Sequence, residues 1–297
     1  MSTAPAPWTI GRLLQWTAGH LSEHGSDSGR LDAEVLLAHV LGCQRIMLYT
    51  RFEEEANDAT KTAYRELVKQ RAAGKPVAYL VGKREFYSLP FTVTPDVLIP
   101  RPETEFLVVG LLDAAKQQSP IAEQGGFQIA DVGTGSGILA VCAALKLPQA
   151  RVTAIDVSPG ALKVARGNAE HHKVAERIEF LESDLFAKVP ADKKFDFVVS
   201  NPPYITTAEM AELDRDVRDF EPLGALEAGP RGTEVIERLI PQSADRLVPG
   251  GRLFIEISPQ IHAAVQQLIT KDGRFDPQPT IEDHSRRPRI VVAKRKA

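Results

Sequence analysis

The chain has 297 residues, 43% of them hydrophobic and 25% charged, which is material for a buried core in one large domain or two unequal ones. A formal net charge of −3 excludes a chain built overall as a polyanion binder, so no sequence-specific nucleic-acid partner is expected. The two cysteines, Cys43 and Cys142, sit in apolar runs outside any CxxC or Cys/His cluster, so no metal site is expected, and there is no apolar run of about 18 residues to cross a membrane.

The opening stretch Met1-Ser2-Thr3-Ala4-Pro5 lacks the basic-then-apolar pattern of a secretory signal, and a cytoplasmic location is expected. Ile10, Leu13, Leu14, Thr17 and Leu21 fall on one helical stripe. Val35, Leu36, Val40 and Leu41 form a second, stopped by Gly42. Tyr64, Leu67, Val68 and Arg71 form a third, closed by Gly74. Short helices do not hold singly in water, so residues 1–83 read as a small helical bundle. Arg84 to Tyr87 and Phe91 to Thr94 are β-like runs separated by Ser88-Leu89-Pro90, the pattern of a hairpin within a linker at 84–105. Pro100-Arg101-Pro102-Glu103-Thr104-Glu105 has the proline and first-turn carboxylates of a helix start.

From residue 106 to 297 strands and helices alternate. Strands are expected at 127–130, 151–155, 178–181, 195–199, 252–257 and 290–293, with helices at 137–146, 160–171, 234–247 and 261–269. Alternation predicts an α/β fold with a mainly parallel sheet and helices on both faces. Such sheets bind ligands at the carboxyl ends of their strands, and the motifs fall there.

Asp131-Val132-Gly133-Thr134-Gly135-Ser136-Gly137 lies between the first strand and its helix. Alternate glycines let the backbone turn sharply and approach a ligand, while the helix start offers unpaired N–H groups. The spacing is GxGxG, not GxGxxG, and a carboxylate beside the loop suits a ligand carrying an ammonium and a sulfonium. Both points favour S-adenosylmethionine over a dinucleotide. Asp156, at the second strand end, is placed to accept ribose hydroxyl hydrogens. Asp184, at the third, is placed to accept from an adenine amino group, with Leu185 as apolar surface under the ring.

Asn201-Pro202-Pro203-Tyr204 ends the fourth strand. A planar amide or aniline-like nitrogen is a weak nucleophile because its lone pair is delocalised. Two acceptors, the Asn201 side-chain carbonyl and the Pro202 backbone carbonyl, would hold its two hydrogens and stabilise developing positive charge. The prolines make the loop rigid, and Tyr204 offers a ring face to a planar group. The residues alone leave open an amide or a conjugated amine such as that of adenine. The seven histidines are scattered and none is assigned a role.

Together with Gly82-Lys83-Arg84-Glu85-Phe86 and Leu98 to Glu105, these motifs resemble release factor glutamine methyltransferases, the PrmC/HemK family, over nearly the whole chain. Glu221-Pro222, Ala225-Leu226 and Gly232 fit the same pattern, whereas Glu227 to Thr233 is less glycine-rich than the usual form. The resemblance implies a Rossmann-like class I methyltransferase sheet, with a helical N-terminal domain that recognises a protein substrate. It implies methyl transfer from S-adenosylmethionine to the glutamine side-chain nitrogen of the Gly-Gly-Gln motif in peptide chain release factors. Ligand contacts carry over to Gly133 through Gly137, Asp156, Leu185 and Asn201. Substrate contacts carry over to Asn201, Pro202, Pro203 and Tyr204, with Arg101 and Glu103 beside the site. Two related chemistries compete. A ribosomal-protein glutamine methyltransferase shares the turn but typically has serine after Pro-Arg. An adenine N6 methyltransferase usually carries a basic recognition domain, where this chain has Glu53-Glu54-Glu55 and a basic cluster only at 286–296. A binding protein without activity is a third reading, and it predicts ligand binding without transfer.

Overall fold

The computed structural model describes residues 7–118 and 126–297, so the Met1 to Pro5 stretch lies outside the described residues. Two compact units result. One runs through Gly82 and takes in Arg215–Phe220; the other holds Lys83–Asp214 and Glu221–Ala297.

The first unit is helical. Ile10–Glu23, Gly29–Leu41 and Asp58–Ala72 are its long helices, joined by the short Met47–Thr50 and Val77–Val81. Thr9 and Asn57 cap two of them, each accepting from a backbone N–H three residues on. Gly42 ends the second in the left-handed region, where a side chain would be strained. Leu14, Leu21, Leu36, Leu37 and Tyr64 meet in one core, and each large aliphatic side chain buried there contributes about 2 kcal/mol. The helix Arg215–Phe220 belongs here: Arg71 pairs with Asp216 at 3.7 Å, and Gly74 packs against the Phe220 ring.

The second unit opens with a hairpin, Lys83–Phe86 against Leu89–Thr92. Its turn is tighter than the Ser88-Leu89-Pro90 expected. Tyr87 and Ser88 alone form it, both at positive φ, and Pro90 lies within the second strand. A two-residue turn of this kind matches the twist of the strands it joins, and a two-stranded ribbon has the free edge a proline needs.

The main sheet contains β1 (Gln128–Val132), β2 (Arg151–Asp156), β3 (Ile178–Glu182), β4 (Phe195–Ser200), β5 (Leu247–Glu256), β6 (Phe275–Pro277) and β7 (Pro288–Arg295). Their order is β6-β7-β5-β4-β1-β2-β3, with Ile281–Glu282 paired beside β7. β3, β2, β1, β4 and β5 are parallel, whereas β7 and β6 are antiparallel additions at one edge. Side chains alternate between two cores. Ile129, Phe197 and Phe254 face the helices Glu105–Gln117 and Ile138–Lys146, while Ala130, Val198 and Ile255 face Glu234–Arg246 and His262–Asp272. Near-continuous apolar runs such as Phe195 to Val199 follow from burial on both faces. The chain winds outward from β1 to β2 and β3, then crosses back to β4 on the other side. That reversal opens a crevice at the carboxyl ends of β1 and β4.

Candidate active site

A cavity of about 390 Å³ occupies this crevice, within the range of small-molecule sites. Its floor is the turn after β1. Gly133 and Gly135 lie at φ 75° and 55°, and open space stands where a Cβ on Gly135 would project. A side chain is strained at that φ and would intrude on any ligand at the turn. Gly133, Thr134, Gly135 and Ser136 all line the cavity. Gly137 does not. It begins the next helix at φ 82°, and a Cβ there would lie 3.0 Å from the Ala165 Cβ, so its lack of a side chain allows helix to approach helix.

Asp131 is not among the residues that line the cavity. It is fully buried, its Oδ2 accepts from the Thr134 hydroxyl at 2.6 Å and the Ala140 N–H at 3.1 Å, and it holds the turn from beneath. Burial pushes its carboxyl up to about 7, against those two hydrogen bonds. The carboxylate beside the loop is therefore a brace for the turn, and Asp156, at the next strand end, is an acid that lines the cavity.

Asp156 accepts from Gly135 N–H on one oxygen and Ser158 N–H on the other, each at 2.9 Å. Burial raises its carboxyl and these backbone donors lower it. An ionised carboxylate has about four acceptor positions, so capacity remains for ligand hydroxyls. Ser158 caps the following helix by accepting from Ala161 N–H. Asp184 and Leu185 also line the cavity. Leu185 sits at φ 48°, a conformation that costs energy for a non-glycine residue. Asp184 is ion-paired with Arg238, a cavity residue that the sequence reading missed.

Asn201, Pro202 and Pro203 close the opposite wall. The Asn201 Nδ2 donates to the Thr104 hydroxyl at 3.2 Å across 97 residues. Tyr204 is not among the lining residues; its ring packs against the Val198 and Ile255 core, and burial raises its hydroxyl pKa, reinforced by the nearby Glu256 carboxyl. Arg101 lines the cavity, with its guanidinium held by Glu221 at 2.7 Å; Glu221 also accepts from Ile99 N–H at 3.1 Å. Glu103 lies off the cavity and pairs with Arg289 at 3.7 Å. Thr104, Glu221 and Arg238 were absent from the expected site because each reaches it through long-range packing. Within the Glu227 to Thr233 stretch, Glu227–Gly229 forms a short strand beside Ile205–Thr206, and Gly232 sits under the Tyr204 carbonyl at a spacing no Cβ tolerates.

The residues fit S-adenosylmethionine. A side-chain-free turn, a carboxylate with spare acceptor capacity at the second strand end, and an acid with a leucine at the third line one cavity. Fold and site together define a class I, S-adenosylmethionine-dependent methyltransferase. Residues 12–82 match the model described as PrmC N-terminal domain, and residues 113–215 match the Methyltransferase small domain. A release factor glutamine methyltransferase of Rhodopirellula baltica is 47% identical over 285 residues, 96% of each chain. Those of Geobacter sulfurreducens and Bacillus subtilis are 40% and 38% identical, covering 93% of both chains and 96% and 97% respectively. The chain belongs to the release factor glutamine methyltransferase family. Solved structures add likeness of fold alone: a methyltransferase from Pyrococcus furiosus has TM-score 0.51 at 17% identity, covering 78% of this chain and 98% of that one. The hMettl16 catalytic domain has TM-score 0.55 at 15% identity, covering 78% and 82%.

Proposed function

We propose that the chain methylates the side-chain amide nitrogen of the glutamine in the Gly-Gly-Gln motif of peptide chain release factors. The observation that carries this reading is Asn201: its amide nitrogen is engaged by Thr104, and it lines the same cavity as the glycine turn. S-adenosylmethionine, when bound, supplies the methyl carbon and keeps the electron pair of the breaking bond on sulfur. Gly133 to Ser136 would cradle it, Asp156 would accept from its ribose hydroxyls, and Asp184 and Leu185 would take its base. On the substrate side, the Asn201 Oδ1 and the Pro202 carbonyl accept the two N–H hydrogens of the glutamine amide. They aim its lone pair and favour the cation that forms as nitrogen gains its fourth bond. The proton leaves after transfer, so orientation carries the step and no strong base is needed. Tyr204 braces the wall behind the planar group, and Arg101, locked by Glu221, shapes the rim; Glu103 acts through Arg289.

The helical unit, running through Gly82 and including Arg215–Phe220, is the one we assign to recognising the protein substrate, and the unit that begins with the hairpin at Lys83 is the one we assign to catalysis, in place of the expected division at 83 and 105. A translation-factor substrate places the reaction in the cytoplasm. The net charge of −3 offers no general attraction for nucleic acid, which weighs against the adenine alternative. Incubation with radiolabelled S-adenosylmethionine and a release factor, alongside its Gln→Ala variant in Gly-Gly-Gln, decides the matter. Label should enter only the unaltered factor; equal labelling of both, or of neither, sinks the reading.

A further inference from the structure

Three successive residues of the turn after β1 are each held by a side chain from a different element. Asp131 on β1 accepts from the Thr134 hydroxyl, and Asp156 on β2 accepts from the Gly135 N–H. The third holder is Asn168, on the helix Pro159–His171, whose Nδ2 donates to the Ser136 carbonyl at 2.8 Å. Asn168 is 1% exposed, and the same amide grips a second segment. Its Oδ1 accepts from the Thr92 N–H at 2.8 Å, and its Nδ2 donates to the Thr92 carbonyl at 3.0 Å. Thr92 ends the hairpin, and Asp96, Val97 and Leu98 just beyond it line the cavity, whereas Asn168 and Thr92 themselves do not. One turn further along the helix, the His172 Nε2 donates to the Pro90 carbonyl at 2.8 Å and its ring meets Phe91, a second tie to the hairpin that bypasses Ser136.

We propose that Asn168 is a positioning residue for the methyl donor: it fixes the Ser136 carbonyl, and with it the shape of the glycine turn, against the hairpin. The inference rests on that turn being the donor's seat, as proposed above. The orientation of the Asn168 amide is set by its partners, since a backbone N–H only donates and a backbone carbonyl only accepts. The Thr92 N–H therefore claims Oδ1, and the two carbonyls claim the two hydrogens of Nδ2. Ser136 is 3% exposed, and the helix that follows does not satisfy its carbonyl. A regular helix would bring the Ala140 N–H to that oxygen, but here the Ala140 N–H goes to Asp131. Asn168 supplies the missing donor. The peptide joining Ser136 to Gly137 is thus pinned at both polar atoms, its carbonyl by Asn168 and its N–H by the Thr134 carbonyl at 2.8 Å. A pinned turn presents its backbone to a ligand without first being ordered, which keeps the cost of binding low. Without Asn168 a buried carbonyl would lack a donor, and the peptide would turn to find one.

The test uses the full chain carrying Asn168→Ala, Asn168→Asp, His172→Phe or Gly135→Val. S-adenosylmethionine affinity is measured by calorimetry, and initial rates are measured with a release factor. Asn168→Ala should raise the S-adenosylmethionine Kd roughly 10-fold, while kcat at saturating donor and the release-factor KM stay within about twofold. Asn168→Asp keeps the size but sets a carboxylate oxygen against two carbonyls, and it should weaken donor binding at least as much. His172→Phe cuts the other tie between helix and hairpin and should leave the Kd within about twofold. A Kd near wild type in Asn168→Ala or Asn168→Asp overturns the inference. So does a kcat at saturating donor that falls as far as the affinity, or equal weakening by His172→Phe. Gly135→Val scores the reading beneath it and should raise the Kd roughly 10-fold or more, because a side chain there intrudes on the turn. An unchanged Kd in Gly135→Val means that the turn is not the donor's seat, and both ideas fall; a rise there with none in the Asn168 variants sinks the inference alone. If neither Asn168 variant folds, hydrogen exchange of the wild type decides. Saturating S-adenosylmethionine should slow the Thr92 N–H about fivefold more than the Gln128 N–H, which Asp196 holds at 2.8 Å in the same unit. Equal slowing at the two overturns the inference.

Discussion

Gly135 donates its backbone N–H to the Asp156 Oδ2 at 2.9 Å, tying the turn after β1 to the end of β2. One carboxylate thus shapes the turn and faces the cavity with its remaining lone pairs. Asp156→Ala removes both roles. The S-adenosylmethionine Kd should rise roughly 10–100-fold, the range for losing charged hydrogen bonds, with a smaller change in release-factor KM. Calorimetry checks this, and a Kd within about twofold of wild type would remove Asp156 from the ligand's contacts.

Asn201→Ala separates binding from turnover. With the methyl donor held on the turn and the β2 and β3 ends, as proposed, its Kd should stay within about threefold, whereas kcat should fall about 100-fold or more through loss of an acceptor for the substrate amide. Equal losses in both would mean that Asn201 acts chiefly on the donor. Single-turnover rates together with equilibrium binding give the two numbers.

Gly137→Ala tests a packing role. The position combines φ 82° with a Cβ only 3.0 Å from that of Ala165, so the cost should be about 1–3 kcal/mol. A thermal melt should fall by several degrees, roughly 2–4 °C per kcal/mol in a chain of this size. Gly167→Ala, on the following helix with nothing within 4 Å of the added carbon, is the control and should melt at or slightly above wild type. Equal effects at both positions would contradict the close approach at Ala165.

Asp131 makes stability depend on pH. Its folded carboxyl is raised to about 7, chiefly by burial, above the ordinary 3.8. A raised acid contributes stability that is fully present below about pH 4 and is lost as pH climbs through 7. Asp131→Asn removes that titration but leaves Glu256, which shifts in the same direction, in place. Subtracting one melting curve from the other therefore isolates Asp131. Wild type minus variant should decline between pH 4 and 8, by roughly 5 °C or more. Parallel profiles would mean that the buried acid does not titrate in that window.

What could be read from the sequence was what local spacing encodes. Alternating glycines after a strand, an acid at the next strand end and Asn-Pro-Pro after a fourth each occupy a few consecutive residues. Parallel strands deliver them to one edge, and all of these except Gly137 line the cavity. Thr104 and Glu256 are silent in that sense. Thr104 reads as part of a helix start, and Glu256 as a lone acid in the apolar run Leu253 to Ile257; only the register of β4 with β5 brings Glu256 beside Asn201. Asp131 was legible as a residue but not in its direction, because period-two alternation along β1 says which face a side chain takes and not which backbone donors it will meet at the strand end. The antiparallel edge was equally hidden, since the apolar run of β7 carries no mark of its polarity and β6, only Phe275-Asp276-Pro277, has no alternation to read.

The helix Arg215–Phe220 belongs to the unit whose other residues end at Gly82, so that unit is discontinuous along the chain. A gene fragment cut after Gly82 would lack the Asp216 partner of Arg71 and the Phe220 ring that covers Gly74. Chimaeras between relatives therefore need two segments exchanged together. Substitutions near Arg71 should co-vary in evolution with residues more than a hundred positions downstream, and not with their immediate neighbours alone.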